Sequence, residues 1–257
     1  MKFGCCGGIN EIKEIKYAGA DFIELPVVTI ANMDTDPLKS MLKDVSISPY
    51  SFNIFLPGDL KITGPAVDKE KVEIYVNKAM EKVGRLGGKI IVFGSGRART
   101  FPENYSLEKG KQDIVNFLNI VSKYAQKFNI KIAIEPLNKK ESNILNTTLE
   151  ALEIARILNN PYIGVLFDNY HAEIEKEPLS NLEKIGDKLY HVHLSNKDRT
   201  APGEKDYDFK KLFSVLKYIN YKGGISIESS FNDRPKELPH SLEYLKNIWN
   251  TLLFTAG

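Results

Sequence analysis

KIAIEPLNKKE, residues Lys131 to Glu141, joins a short apolar run to a carboxylate. The β-branched run Lys131–Ile134 predicts a buried strand. It ends at Glu135, and Pro136 cannot donate the next hydrogen bond of a ladder. A carboxylate at the exit of a buried strand is unfavourable unless it is ion-paired, hydrogen-bonded or bound to a cation. For Glu135 alone, two interpretations are open: an ion pair with a nearby lysine, or a metal site.

The same pattern occurs three more times downstream, each time as an apolar run that ends in a residue able to bind a divalent cation. These runs and their final residues are Tyr162–Phe167 with Asp168, Leu189–Val192 with His193, and Gly224–Ile227 with Glu228. Subtraction gives separations of 33, 25 and 35 residues from Glu135 onward. One strand, one helix and two loops take about 30 residues. Four consecutive βα units are therefore expected to present one ligand each at the same edge of a parallel sheet.

Eight strand signals follow one another along the chain, each with a helix signal after it and without a linker. This alternation predicts a parallel sheet, and eight units in 257 residues predict a closed (β/α)8 TIM barrel, with residues 1–257 as a single domain. A doubly wound open sheet is the alternative, but Cys6-Gly7-Gly8 lacks the glycine spacing of a dinucleotide-binding turn. In a barrel the active site lies at the carboxyl ends of the strands, where all four candidate ligands are expected.

Three element boundaries depend on local signals alone. Val45–Ile47 and Ser51–Leu56 are expected to hold the third strand. Asp36 followed by Pro37 predicts the start of the preceding helix. The last amphipathic helix is expected over Leu238–Phe254.

Charge and composition narrow the class of protein. Hydrophobic residues make up 42% and charged residues 26% of the chain, which is ordinary for a soluble globular protein. The net charge of +2 gives no sign of a nucleic-acid partner or an anionic membrane surface. Cys5 and Cys6 are the only cysteines, and because adjacent residues do not easily form an unstrained disulfide, a reduced cytoplasmic location is expected. Neither a signal peptide nor an apolar run of roughly 20 residues is visible, so no membrane partner is expected.

Three carboxylates and one imidazole form a ligand set in which oxygen predominates. Such a set suits one divalent metal ion of the Mn, Co or Mg type and does not exclude Zn. The alternative is that the four residues are unrelated polar groups at strand ends.

Three further residues lie close to these ligands in sequence. His191 shares a strand face with His193 and should lie one layer deeper, as a hydrogen-bonded barrel histidine. His171 follows Asp168 by three residues, either to bind substrate or to cap the backbone. Arg199 follows His193 by six residues, in a loop above the expected site.

Several motifs around these residues match a known family. They are FLPGDLKITGP (Phe55–Pro65), FGSGRAR (Phe93–Arg99), IEPLNKKESN (Ile134–Asn143), FDNYHAEIE (Phe167–Glu175), HVHLSNKDRTAPG (His191–Gly203) and ISIES (Ile225–Ser229). The chain resembles the xylose isomerase-like TIM barrel superfamily of sugar phosphate isomerases and epimerases. Within it, the resemblance is greatest to ketose 3-epimerases of the tagatose/psicose type and to hydroxypyruvate isomerase-like proteins.

The resemblance implies a role for each of seven residues. It implies that the metal ligands are Glu135, Asp168, His193 and Glu228. It implies that Glu135 and Glu228 are also the catalytic acid/base pair, and that Glu141, His171 and Arg199 contact substrate. The expected partner is a small-molecule sugar or sugar-like ketone, and the oligomeric state stays open, a homo-oligomer included.

These roles make chemical sense for a metal-dependent sugar isomerase or epimerase. A cation that polarises a ketose carbonyl acidifies the adjacent C–H. One glutamate removes that proton to give an enediolate, and the other returns a proton. Return to the opposite face gives epimerisation, whereas return to the neighbouring carbon gives aldose–ketose isomerisation.

Other functions fit the same barrel. A metal-dependent dehydratase of the inosose or dehydroshikimate type would use the same site and is the main alternative. An AP endonuclease-type DNA repair enzyme would need a larger histidine set than the four histidines of this chain. A non-catalytic sugar-binding barrel is the third alternative. Three features depart from the family pattern and leave the sugar undecided: Asn196, the run Ser229-Ser230-Phe231 after Glu228, and the first-strand end Cys5-Cys6-Gly7. The segment Gly94-Ser95-Gly96-Arg97 is either a plain strand-to-loop turn or a turn that holds an anion such as a substrate phosphate.

Overall fold

The computed structural model describes residues 1–203 and 207–252. Eight parallel strands form a closed barrel in the order in which they occur along the chain. The strands are β1 (Lys2–Cys6), β2 (Phe22–Pro26), β3 (Ser48–Asn53), β4 (Ile90–Phe93), β5 (Lys131–Ile134), β6 (Ile163–Asp168), β7 (Leu189–Leu194) and β8 (Gly224–Ile227). Pairing of β1 with β8 closes the barrel, so the expected (β/α)8 fold is confirmed.

Helices occupy the segments between successive strands, and the last of them follows β8. They are α1 (Ile12–Tyr17), α2 (Val27–Ile30), α3 (Thr35–Val45), α4 (Lys69–Arg85), α5 (Gly96–Arg99), α6 (Leu107–Phe128), α7 (Thr148–Leu158), α8 (Asn169–Ile174), α9 (Asn181–Ile185), α10 (Phe209–Tyr218) and α11 (Arg234–Thr251). Two 3₁₀ turns, Ile9–Glu11 and Gly186–Lys188, supplement them.

Side chains cap the starts of several helices. The side chains of Asp68, Ser106 and Thr147 accept hydrogen bonds from backbone N–H groups in the first turns of α4, α6 and α7. Glu150 completes a capping box with Thr147. Such caps contribute about 1 kcal/mol each to stability.

The third strand and its preceding helix differ from expectation. Helix α3 continues through Val45 and ends at Ser46, which adopts a left-handed conformation with φ 57°. Strand β3 therefore begins only at Ser48. Asp34, not Asp36, caps α3, because its carboxylate accepts the N–H of Asp36. The short sequence signals at these positions do not distinguish the observed boundaries from the predicted ones.

The last helix begins earlier than predicted. Helix α11 starts at Arg234, with Pro235 in its first turn, and extends to Thr251. The predicted end at Phe254 lies outside the described residues.

The barrel interior changes from apolar to polar along its axis. Val92, Ala133 and Leu166 form part of a small buried cluster inside the barrel. A larger apolar core lies between the strands and the outer helices. Strand pairing of Asp168 with His193 and of His193 with Ser226 brings ionisable and polar residues together at the carboxyl ends. The apolar layer therefore supports a polar mouth.

Within the two described ranges, none of the helices combines the length and apolar character needed to cross a bilayer.

Candidate metal centre at the barrel mouth

The four predicted ligands meet at the mouth of the barrel. One potential ligand atom from each of Glu135, Asp168, His193 and Glu228 lies within 4.8 Å of the others. They come from the ends of four consecutive strands, β5 to β8. Glu135, Asp168 and His193 are buried, and Glu228 is partly exposed. The four residues therefore lie together at one place, as the sequence predicted.

The imidazole of His193 faces the carboxylates through one particular nitrogen. Its Nδ1 lies 2.9 Å from Oε2 of Glu228 and 3.3 Å from Oε1 of Glu135. Although this nitrogen is buried, it forms no hydrogen bond of acceptable geometry with any described residue. A ring nitrogen without such a bond, surrounded by carboxylate oxygens, is the arrangement expected of a ligand to a divalent cation. The residues present thus fit a metal ion.

The two glutamates of the site have pKa values that differ in direction. Burial raises the pKa of Glu135, and the negative charge of Glu228 adds to this, while His193 opposes it. Burial also acts to raise the pKa of Glu228, but the positive charges of His193 and Arg199 outweigh it and lower the pKa. Two carboxyl groups with divergent pKa values are suited to opposite halves of an acid/base cycle.

Arg199 bridges two of the four ligands. Its Nη1 donates to Oδ2 of Asp168 at 2.7 Å, and its Nη2 donates to Oε2 of Glu228 at 2.6 Å. The guanidinium carbon also lies 4.6 Å from the centre of the Tyr170 ring. Arg199 has φ 66°, and the turn that includes it places the side chain over the mouth. It lies above the site, as predicted.

Asn138 brings the other two predicted substrate contacts together. Its backbone N–H donates to Nδ1 of His171 at 3.2 Å, and its Nδ2 donates to Oε1 of Glu141 at 2.9 Å. Because Nδ1 of His171 accepts a bond, its Nε2 carries the proton and lies 3.7 Å from Oδ2 of Asp168. Glu141 is exposed at the rim. Sequence analysis did not identify Asn138, because nothing in the sequence distinguishes it from other loop asparagines.

Gly94 makes room for Glu135. A Cβ at this position would lie 2.1 Å from Oε2 of Glu135. Strand β4 can therefore approach the carboxylate only if a glycine follows it. In the adjoining turn, the hydroxyl of Ser95 accepts the N–H of Leu56, and Arg97 is exposed.

Glu24 is the principal residue of the site that sequence analysis missed. It lies in β2 with no solvent exposure, and its Oε1 is 2.9 Å from Nε2 of His193. Its Oε2 is 2.8 Å from Nε2 of His191, which is the deeper, hydrogen-bonded histidine that was expected. Burial acts to raise the pKa of Glu24, but the charges and hydrogen bonds of His193 and His191 lower it well below its usual value.

Comparisons with known proteins agree with this fold. Residues 12–248 match the family model described as xylose isomerase-like TIM barrel. The chain is 29% identical to L-ribulose 3-epimerase of Methylomonas sp. (strain DH-1), over 99% of this chain and 90% of the relative. It is 26% identical to ketose 3-epimerase of Arthrobacter globiformis, over 97% of this chain and 91% of the relative.

A solved structure has the same architecture. D-allulose 3-epimerase from Methylomonas sp. superposes with a TM-score of 0.86 at 23% identity, covering 96% of this chain and 98% of that chain. The named relatives are sugar epimerases, with an inosose isomerase at greater distance, and the expectation of an isomerase-type enzyme is confirmed. Because the family model covers most of its length, the chain belongs to the xylose isomerase-like TIM barrel family.

Proposed function

We propose that the protein is a metal-dependent ketose epimerase that inverts a carbon next to the substrate carbonyl. The observation that carries the proposal is the convergence of two glutamates, an aspartate and a histidine within 4.8 Å at the barrel mouth. The 3-epimerase names of the two relatives covering nearly the whole chain favour carbon 3 of a ketose as the reacting centre.

A metal ion of the Mn, Co or Mg type would be held by Glu135, Asp168, Nδ1 of His193 and Glu228. When bound, the ion would polarise the substrate carbonyl and acidify the adjacent C–H. Glu228, whose carboxylate is paired with the guanidinium of Arg199, would accept that proton. Glu135 would then return a proton from the other side. In the reverse reaction the two glutamates exchange roles.

The residues around the ligands would orient the substrate. The proton on Nε2 of His171 and the exposed carboxylate of Glu141 can bind hydroxyl groups at the rim. Arg199 carries donors on the same side as Asp168 and Glu228, where a carbonyl or enediolate oxygen would lie. Its charge is already paired with those two carboxylates, which favours an unphosphorylated substrate.

Asn53 is a further candidate for substrate contact. It ends β3 two residues after Ser51, whose hydroxyl points to Glu24 inside the barrel. Residues two apart in a strand share a face, so Asn53 also faces the interior, one layer nearer the mouth. Its side chain is buried, and its Oδ1 has no hydrogen-bond partner in the described part of the chain. A substrate hydroxyl would satisfy that oxygen.

The test is an activity screen with the purified protein and Mn²⁺ in D₂O. Free ketopentoses and ketohexoses, their phosphates and an inosose are incubated and the products separated. An epimer that carries deuterium at the inverted carbon supports the proposal. An aldose product would assign an isomerase, and loss of water would assign the dehydratase alternative. Absence of turnover on every ketose would overturn the proposed epimerase.

A further inference from the structure

The carboxylate of Glu24 lies beneath the metal centre and is surrounded by donors. Besides the two histidines, its Oε2 accepts the hydroxyl of Ser51 at 2.6 Å and that of Ser226 at 2.7 Å. Its Oε1 faces only Nε2 of His193 among these groups. Strands β2, β3, β7 and β8 thus each contribute to one buried carboxylate.

This arrangement fixes the protonation pattern of both histidines. A carboxylate accepts hydrogen bonds only, so the proton of His193 that faces Glu24 must reside on Nε2. Nδ1 is then left as the nitrogen that faces Glu135 and Glu228. His191 likewise presents Nε2–H to Glu24. The orientation of His193 therefore follows from Glu24, 169 residues away in sequence.

The serine hydroxyls and His191 prevent Glu24 from turning away. Three donors hold Oε2, so the carboxylate plane is fixed and Oε1 is directed at His193. Histidine ligands of protein-bound metals commonly donate their second N–H to a carboxylate in this way, which fixes the ring and makes it a better ligand.

We propose that Glu24 is a positioning residue for the metal centre, and that Ser51, Ser226 and His191 hold Glu24 in turn. It does not touch substrate or the reacting atoms. The inference rests on the metal-binding part of the proposed function and is independent of the sugar that the protein acts on.

The decisive variant is Glu24→Gln, measured by Mn²⁺ titration of the metal-free protein without substrate. Whichever way the amide is turned, its NH₂ group faces a donor, either His193 or the serines and His191. We expect Mn²⁺ affinity to fall roughly 10- to 100-fold, the range typical of lost carboxylate–histidine contacts. In the Mg²⁺-loaded protein, the hydrogen-bonded Nε2–H proton resonance of His193 should shift or disappear.

A matched control separates positioning from general destabilisation. Tyr221→Phe removes a buried hydroxyl that donates to the carbonyl of Gly224 at 2.7 Å, at the opposite end of the barrel. It should lower the unfolding temperature and leave the Mn²⁺ dissociation constant within about twofold. Should Glu24→Gln fail to fold, Ser226→Ala provides a milder change, with an expected loss of roughly threefold in Mn²⁺ affinity.

The outcomes distinguish this inference from the proposed function. Unchanged Mn²⁺ affinity in Glu24→Gln, or an equal loss in Tyr221→Phe, overturns the positioning role alone. A wild-type protein that binds no divalent metal overturns the metal centre and the positioning role together.

A second group of potential ligands lies beside the first: Cys6, Glu24 and His193 are also within 4.8 Å of one another. If Cys6→Ser weakened Mn²⁺ binding and Glu135→Gln did not, the ion would lie on that second set, and the inference would be wrong.

Discussion

The guanidinium of Arg99 donates to the backbone carbonyl of Glu135 at 2.7 Å, entirely out of contact with solvent. It also donates to the carbonyls of Phe93 and Leu145 and to the hydroxyl of Ser142. Burial lowers its pKa to about 10, which leaves it charged at neutral pH. One buried cation therefore ties the end of β4 to the loop that carries Glu135 and Glu141.

Replacing Arg99 with lysine should destabilise the protein although the charge is kept. An ammonium cannot reach four acceptors that lie in the plane of a guanidinium, so two or more carbonyls lose their partner. We expect a loss of about 2–4 kcal/mol in the free energy of unfolding, measured by urea titration. The exposed Arg97→Lys is the control and should stay within about 0.5 kcal/mol of the wild type. Equal stability of the two variants would contradict a structural role for Arg99.

Gly94→Ala should impair the metal centre specifically. The new methyl group would lie against Oε2 of Glu135, so the carboxylate or strand β4 must move. We expect Mn²⁺ affinity to fall by at least roughly tenfold, because a displaced ligand no longer converges with the other three. Gly203→Ala is the control, since a Cβ there meets no described atom within 4 Å. Isothermal titration with Mn²⁺ compares the two, and similar affinities would show that Glu135 adapts without cost.

The difference between predicted and missed residues follows from the range of their interactions. Glu135, Asp168, His193 and Glu228 could be predicted because each ends an apolar run, and the βα repeat then places them together. Glu24 carries a similar local signal within Asp21–Leu25, but its role depends on partners that only barrel closure brings near.

Arg99 illustrates the same limit for a loop. In the sequence it stands in a polar, glycine-rich turn and resembles its exposed neighbour Arg97. Its burial results from the β5–α7 loop folding over it, with Ser142 and Leu145 as partners. The predicted start of β3 was wrong for a simpler reason. Helix α3 ends at Ser46 in a left-handed conformation, and no glycine in the sequence marks that position.

The two thiols should be unreactive in the folded protein. Burial raises the pKa of Cys5 to about 12 and that of Cys6 well above its usual value, with Glu24 adding to the latter. Only a thiolate reacts readily with a disulfide reagent. We expect slow labelling of native protein by Ellman's reagent at about pH 8 and rapid labelling of both thiols in guanidinium chloride.

The raised pKa of Cys5 predicts a change in the free energy of unfolding at high pH. The pKa of Cys5 is higher in the folded state than its ordinary value of 9.0. The folded state therefore binds more protons than the unfolded state between these pKa values. The contribution of Cys5 is fully present below pH 9.0 and is lost as the pH rises towards about 12. Urea unfolding of Cys5→Ala across this range should show a shallower decline than the wild type, and parallel curves would count against the shift.

Glu228→Gln should separate metal binding from proton transfer. The amide keeps one oxygen that can face the ion, so Mn²⁺ affinity should weaken only partly. It cannot accept the substrate proton, so kcat should fall by roughly three orders of magnitude or more. Solvent deuterium exchange at the reacting carbon should stop in parallel. Arg199 would also lose an ionic partner, so the variant's circular dichroism and unfolding temperature must be measured beside its kinetics. Full turnover with intact folding would remove Glu228 from the acid/base pair and leave it, at most, a metal ligand.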